Sequence, residues 1–351
     1  MKAYIRSAAC ISSQKTFNRE GFLNDIVEYT GTKLTVIEPD YKDYIDAKLA
    51  RRMSSIIKRG IAAAKRCLEA TEVEIPDAII AGTALGCLED TVTFLTRMVE
   101  LNEEMLPPTA FIQSTHNTVA AQIALMLQCH GYNNTFVHKG ISFESALIDA
   151  LMLLNEKEAH NIIVGGTEEM VDASFKVLSR LGLYRRQPVS NLDLLKTEAK
   201  GSMGGEGSAF FLLTDQASGD NLAELTAVNT YYQPENIEQN IINFLSENSV
   251  SPQDLDLVIT GRNGDIKNDA IYHQLNLNLF KDVALANYKH LCGEYPVSSS
   301  FALWLAANII NRQEVPEIVI ERGAKAGSLR KILIYNHYQN KYHALMLVSA
   351  V

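Results

Sequence analysis

The sequence predicts an α/β protein made of two tandem halves, and three observations predict it. Strand-like and helix-like segments alternate along all 351 residues. The strand segments are unbroken apolar runs, as expected where helices cover both faces of a mainly parallel sheet. The rhythm restarts after residues 215–220 with no long flexible linker, which predicts halves at 1–217 and 218–351 sharing one core.

Residues 3–10 read as the first strand. Over residues 47–71, Leu49, Met53, Ile56, Ile57, Ile61, Ala64 and Leu68 recur at helical spacing. Arg51, Arg52, Lys58, Arg59, Lys65 and Arg66 fill the other positions, a solvated face balanced by Glu69 and Glu72. Residues 78–81 form a buried strand ending at Gly82. A helix over 118–129, a turn at 131–134 and a short strand at 135–137 follow. Residues 142–155 are amphipathic, with Ala146, Leu147, Ala150, Leu153 and Leu154 on the packing face. The strand 161–164 is closed by Gly165-Gly166-Thr167-Glu168, and Gly204-Gly205-Glu206-Gly207 opens the strand 208–213. In the second half, helices are read at 237–247 and 297–310. Strands are read there at 222–228, 255–260, 318–321, 331–335 and 344–349. No short repeat is visible, which excludes a solenoid.

Composition narrows the function. Hydrophobic residues make up 47% and charged ones 21%, the balance of a packed globular chain. Thirty-two basic against 41 acidic residues leave a net charge of −9, which would repel a nucleic acid. Cys10, Cys67, Cys87, Cys129 and Cys292 are odd in number and scattered, a pattern of reduced cytoplasmic thiols rather than a disulfide or zinc framework. The start, Met1-Lys2-Ala3-Tyr4-Ile5-Arg6, has no signal-peptide pattern, and no apolar run reaches the length of a membrane span. Nucleotide-loop, dinucleotide, zinc-hydrolase and serine-hydrolase signatures are missing.

Several stretches share an order. They are Ala50-Arg51-Arg52-Met53, Ala81-Gly82-Thr83-Ala84-Leu85-Gly86, Pro107-Pro108-Thr109-Ala110-Phe111-Ile112 and Gln122-Ile123-Ala124-Leu125. Gly131-Tyr132-Asn133-Asn134-Thr135-Phe136-Val137-His138-Lys139-Gly140 comes next, then Gly165-Gly166-Thr167-Glu168 and Gly205-Glu206-Gly207. In this series the chain resembles the β-ketoacyl synthases of the thiolase-like superfamily, which condense acyl and malonyl groups on acyl carrier protein. The resemblance implies a thiolase-like five-layered αβαβα fold with two pseudo-repeated halves, and no cofactor or metal.

The resemblance also locates the chemistry. In the family a cysteine nucleophile starts the buried helix, where the helix N-terminus lowers the thiol pKa and its amides hold an oxyanion. Reading without gaps from Gly131 puts Gly140 at that place. The first family histidine falls at Gly261, within Val258-Ile259-Thr260-Gly261-Arg262-Asn263-Gly264-Asp265 with Asp269 beyond. The second falls at Glu294, in Lys289-His290-Leu291-Cys292-Gly293-Glu294. An ionised glutamate only accepts hydrogen bonds, so it cannot support an enolate oxygen. The family's glycine-rich loop reads here as Asn336-His337-Tyr338-Gln339-Asn340-Lys341-Tyr342.

With all three groups replaced, the chain is similar to chain-length factors, which lack the nucleophile and pair with an active synthase. Gly293-Glu294-Tyr295-Pro296 and Gln113-Ser114-Thr115-His116-Asn117-Thr118 suggest the aryl polyene kind. The resemblance implies channel or interface roles for Phe111, His116, Asn134, Thr135 and Phe136, with residues 134–137 pairing across a dimer. The run Ser114–Thr118 reads equally as capping for the next helix. Gly165, Gly166, Glu168, Gly205, Glu206, Gly207 and Lys289 read as structural. Lys289, Glu294 and Glu168 are expected to form a buried ionic network, and Glu206 to satisfy backbone donors in a turn.

The implied partner is an active ketosynthase or a second copy of the chain, and the basic helix face could steer in acyl carrier protein. Two other readings stay open. One is an active acyltransferase using Ser142, or Cys292 with His290, as a displaced nucleophile; otherwise Ser142 caps its helix. The other is a homodimeric acyl-binding scaffold.

Overall fold

The apolar strands line up side by side and their alternate side chains build three cores. The computed structural model describes residues 2–17, 22–106, 108–197, 199–323 and 327–351. Of the residues named above, Met1 and Pro107 lie outside that set.

The first half runs β1 (Ala3–Ile11), β2 (Thr30–Gly31), α1 (Ala47–Ala50), α2 (Ser55–Glu69), β3 (Ala78–Gly82), α3 (Leu88–Glu100) and α4 (Pro108–Gln113). It continues with α5 (Thr118–Leu127), β4 (Tyr132–Phe136), α6 (Ser142–Asn155), β5 (Asn161–Glu168), α7 (Asp172–Arg180), β6 (Val189–Ser190) and β7 (Gly207–Thr214). The second comprises β8 (Ala223–Tyr232), α8 (Ile237–Glu247), β9 (Leu257–Thr260), α9 (Ile266–Leu277), β10 (Leu285–Asn287) and α10 (Lys289–Cys292). It ends with α11 (Ser299–Arg312), β11 (Ile320–Arg322), β12 (Lys331–Tyr338) and β13 (Tyr342–Ser349).

Among the described residues, β1 and β8 meet antiparallel at the centre of an 11-stranded sheet. Outward from β1 come β7, β5, β3 and β4; outward from β8 come β13, β12, β9 and β10, with β11 added. Each series begins with antiparallel pairs and ends with parallel ones, so the two halves repeat one topology. Strand alternation then makes the layers. Ile80, Val164 and Phe211 face a central core with Ile259 and Ile334 of the second half, and α6 and α11 fill it. Ile79, Ile163 and Phe210 face outward onto α2 and α5. Val258 and Leu333 face outward onto α8 and α9. The order is therefore helix, sheet, helix, sheet, helix.

Some bounds differ from the sequence reading, each for a local reason. The single helix expected at 47–71 breaks at Arg51–Ser54, because Ser54 is extended (φ −66°, ψ 167°) as the N-cap of α2. The strand expected at 161–164 continues through Glu168, since Gly165–Glu168 pairs with Phe210–Gly207. The turn expected at 131–134 is already strand, with Tyr132 paired to Ala78. Among the described residues, no helix is long and apolar enough to cross a membrane.

Candidate functional site

The parallel strands β3, β4 and β5 deliver their ends to the N-terminus of α6, where the family keeps its nucleophile. After β4 the chain turns through Lys139 at a left-handed φ of 53° and enters a single 3₁₀ turn containing Gly140. Gly140 is buried, and a Cβ there would overlap Tyr338 Cβ and lie 2.8 Å from its Cγ. The space of a catalytic side chain is thus filled by tyrosine from the end of β12.

Gly261, at the end of β9, is equally closed. A Cβ would overlap Asn336 Oδ1 and lie 2.7 Å from the Tyr272 hydroxyl. Asn336 Oδ1 in turn accepts from the Tyr288 hydroxyl at 3.0 Å. Glu294 is buried and receives the fully buried Lys289 ammonium at 2.8 Å on Oε2. Asn263 Nδ2 donates to the same oxygen, whereas Oε1 has no partner. These groups offer an ion pair and amides, but no imidazole or thiol aimed at the Gly140 position.

The expected network is only partly made. Glu168 does not bond Lys289; its Oε1 accepts from Thr83 Oγ1 at 2.7 Å and from the amides of Ala84 and Leu85, holding the loop after β3. Glu206 accepts from Met170 N at 3.1 Å, as a turn carboxylate should, and from Arg59 at 2.8 Å. Arg59 is buried between Glu206 and Glu38, which corrects its assignment to a solvated face. Lys65 donates to Tyr44 O and Arg66 pairs with Glu69, while Arg51 and Arg52 of the basic stripe stay exposed. Gly165 and Gly166 lie against Phe210 and Ser300, and Gly205 against the Cys292 carbonyl, where β7 meets α10; Gly207 packs on Tyr295.

Ser142 is the first residue of α6, and its N-cap is Ile141. Its hydroxyl donates to Lys139 O and accepts from His138 N, both at 2.8 Å, so it braces the 3₁₀ turn instead of capping. Cys292 and His290 sit on the short helix α10, not on a strand, and their polar atoms go different ways. His290 Nε2 bonds Ile318 O at 3.0 Å, and burial lowers its pKa to about 4. Cys292 is fully buried, which pushes its thiol well above the usual range. Among the described residues, no group of three or more His, Cys, Asp or Glu could hold a metal ion.

The remaining predicted residues cluster at the outer edge of the first half. Phe111 is exposed on α4 and packs on Phe94 of α3 with ring centres 5.1 Å apart. His116 is exposed and lies against Gly86, whose left-handed φ of 64° lets the two loops approach. Ser114 and Thr115 hydroxyls bond within their own turn, and Asn117, the N-cap of α5, makes no side-chain cap. Asn134, Thr135 and Phe136 lie on β4, the end strand.

Glu144 is the site residue that the sequence reading missed. It lies in the first turn of α6 with both carboxylate oxygens buried and facing the Ser299 hydroxyl of α11. Burial raises its pKa from 4.5 to about 7. Between these values the folded chain keeps a proton that the unfolded chain has released. Stability therefore falls as pH rises through that window and stays reduced above it. Urea unfolding should find Glu144→Gln more stable than the parent at pH 8 by on the order of 3 kcal/mol. That gap should shrink towards pH 5; a gap independent of pH would contradict the assignment.

Comparison with known proteins bears on the fold. The family model described as β-ketoacyl synthase, N-terminal domain, matches residues 35–203. No curated protein matches the chain. The ishigamide ketosynthase/chain length factor superposes with a TM-score of 0.80 at 15% identity, over 100% of this chain and 99% of that one. A β-ketoacyl synthase from Burkholderia phymatum gives 0.78 at 13% identity, over 100% and 99%. The ketosynthase ApeO in complex with its chain length factor ApeC, from Xenorhabdus doucetiae, gives 0.74 at 15% identity, over 99% and 98%. The chain therefore has the thiolase-like ketosynthase fold, and its residues 35–203 are similar to the β-ketoacyl synthase N-terminal domain.

Proposed function

We propose that this chain is a non-catalytic ketosynthase-like subunit that pairs, as a chain length factor does, with an active ketosynthase of polyketide or fatty-acid-type elongation. One observation carries the reading: at Gly140 and Gly261 neighbouring side chains occupy the volume a cysteine or histidine would need. The third position, Glu294, is committed to Lys289. Its contribution would be walls and an interface rather than bond making.

A surface suited to the partner lies at β4. The strand bonds β3 on one side and, among the described residues, no strand on the other, an edge that proteins normally cover. Leu125 of α5, which packs on β4, is exposed, as are Leu95 and Val99 of α3 and Phe111 and Ile112 of α4. Phe111, His116, Asn134, Thr135 and Phe136 would belong to that interface and the acyl channel next to it. The named neighbours that are ketosynthase and chain length factor pairs support the same division of labour. Five free, buried cysteines suit the cytoplasm.

Co-expression with a candidate ketosynthase tests this. The expected result is a 1:1 complex whose condensing activity depends on the partner's cysteine, and which Ile112→Asp dissociates. Acylation and malonyl condensation by the purified chain alone would overturn it.

A further inference from the structure

The residue that fills the nucleophile's place is carried by a hairpin with an unusual clasp. Tyr338 ends β12, and the chain reverses through Gln339 and Asn340, both at left-handed φ (57° and 52°), with Lys341 N bonded to Tyr338 O at 3.2 Å. Left-handed backbone is costly for a glutamine, so something must hold it. The holder is His337. Its ring is buried, stacked on Tyr272 at 4.6 Å and 11°, with both nitrogens used. Asn340 N–H donates to Nδ1 at 3.1 Å, and Nε2 lies 3.0 Å from Asn268 O. Those partners require one tautomer, with the proton on Nε2 and a bare Nδ1.

A second proton on Nδ1 would point at the Asn340 N–H, donor against donor, and break the turn's bond. It would also set a buried cation near Lys289, whose ammonium lies 3.4 Å from His337 O. The other ionisable groups facing the ring are Tyr272 on α9, Tyr335 on β12 and His343 on β13, none of them a carboxylate. We propose that the Tyr338–Tyr342 turn is an imidazole-latched stopper. Neutral His337 keeps it shut with Tyr338 over Gly140, and protonation of His337 opens it.

Burial, reinforced by Lys289 and His343, holds the His337 pKa well below its ordinary 6.5 in the closed form. The closed form is therefore fully stable above that value and erodes as pH falls below it. Each unit of acidification multiplies the opening equilibrium by ten until the closed-form pKa is reached. The latch lies within this chain, whichever subunit the chain pairs with.

Amide hydrogen exchange on the full chain tests it. After correction for intrinsic rates, opening at Gln339, Asn340 and Lys341 should rise about tenfold per unit between pH 6 and pH 5, while α11 stays protected. In His337→Gln the amide can accept from Asn340 and donate to Asn268 without titrating, so opening should become independent of pH. Opening that ignores pH in the parent, or keeps its pH step in His337→Gln, would overturn the latch. Imidazole NMR supplies a reading that needs no variant. A His337 ring in the folded chain that titrates near 6.5, or carries its proton on Nδ1, would overturn it equally.

Discussion

Replacing Lys289 with methionine is expected to destabilise the chain by about 3–5 kcal/mol, among the largest effects of any single side-chain truncation here. The ammonium is fully buried and its carboxylate partner nearly so. Removing one member strands Glu294, which keeps only Asn263 as a donor and already has one oxygen without a partner. The double variant Lys289→Met/Glu294→Leu should recover much of that loss, because it leaves no unpaired charge in the core. Urea midpoints of the parent, the single variant and the double variant check this. A single-variant loss below about 1 kcal/mol, the range of exposed pairs, would mean the pair is solvated and not part of the core.

Putting the family's nucleophile back is expected to fail as chemistry and to damage the fold. In Gly140→Cys the new Cβ collides with the Tyr338 side chain on a buried 3₁₀ turn. Overpacking of this kind costs about 1–3 kcal/mol, and occasionally more. Intact mass after incubation with an acyl thioester should show no adduct. Gly140→Cys/Tyr338→Gly removes the collision and should expose a thiol that reacts with iodoacetamide, its sulfur displacing iodide. Condensation would still lack imidazoles, since Gly261 and Glu294 occupy their places. An acylated, condensing Gly140→Cys single variant would refute the idea that the pocket is filled from within.

The fold was legible wherever one face or one run was apolar. The bounds of α6 and α8 follow from their periodicity, and β3 from its short buried run. Helix α9 escaped because its inner face buries Asp269 and Asn276 alongside Tyr272 and Leu275, which erases the apolar stripe. Arg59 was misread for a related reason. Its carboxylates lie 21 and 147 residues away in the chain, so no local pattern marks it as an ion-pair centre.

The candidate site divides in the same way. The replaced residues at Gly140, Gly261 and Glu294 are visible as letters in a familiar order. What now fills their volume is not, because Tyr338 reaches Gly140 from the other half and Asn336 reaches Gly261 from a later strand of the same half. Glu144 is hidden differently. A glutamate in the first turn of an amphipathic helix reads as a surface residue favoured by the helix dipole. Only the second half, with Ser299 of α11 and Lys289 beside it, makes that position interior.

The layer formed by α6 and α11 also bears on how the protein is made. Growing from the N-terminus, the chain completes β1 to β7 while the far side of α6 still has nothing to pack against. That helix also packs on β8, so part of its surface stays uncovered until the second half has left the ribosome. The nascent first half is therefore a natural client for chaperones, and translational pausing within the second half would prolong its exposure.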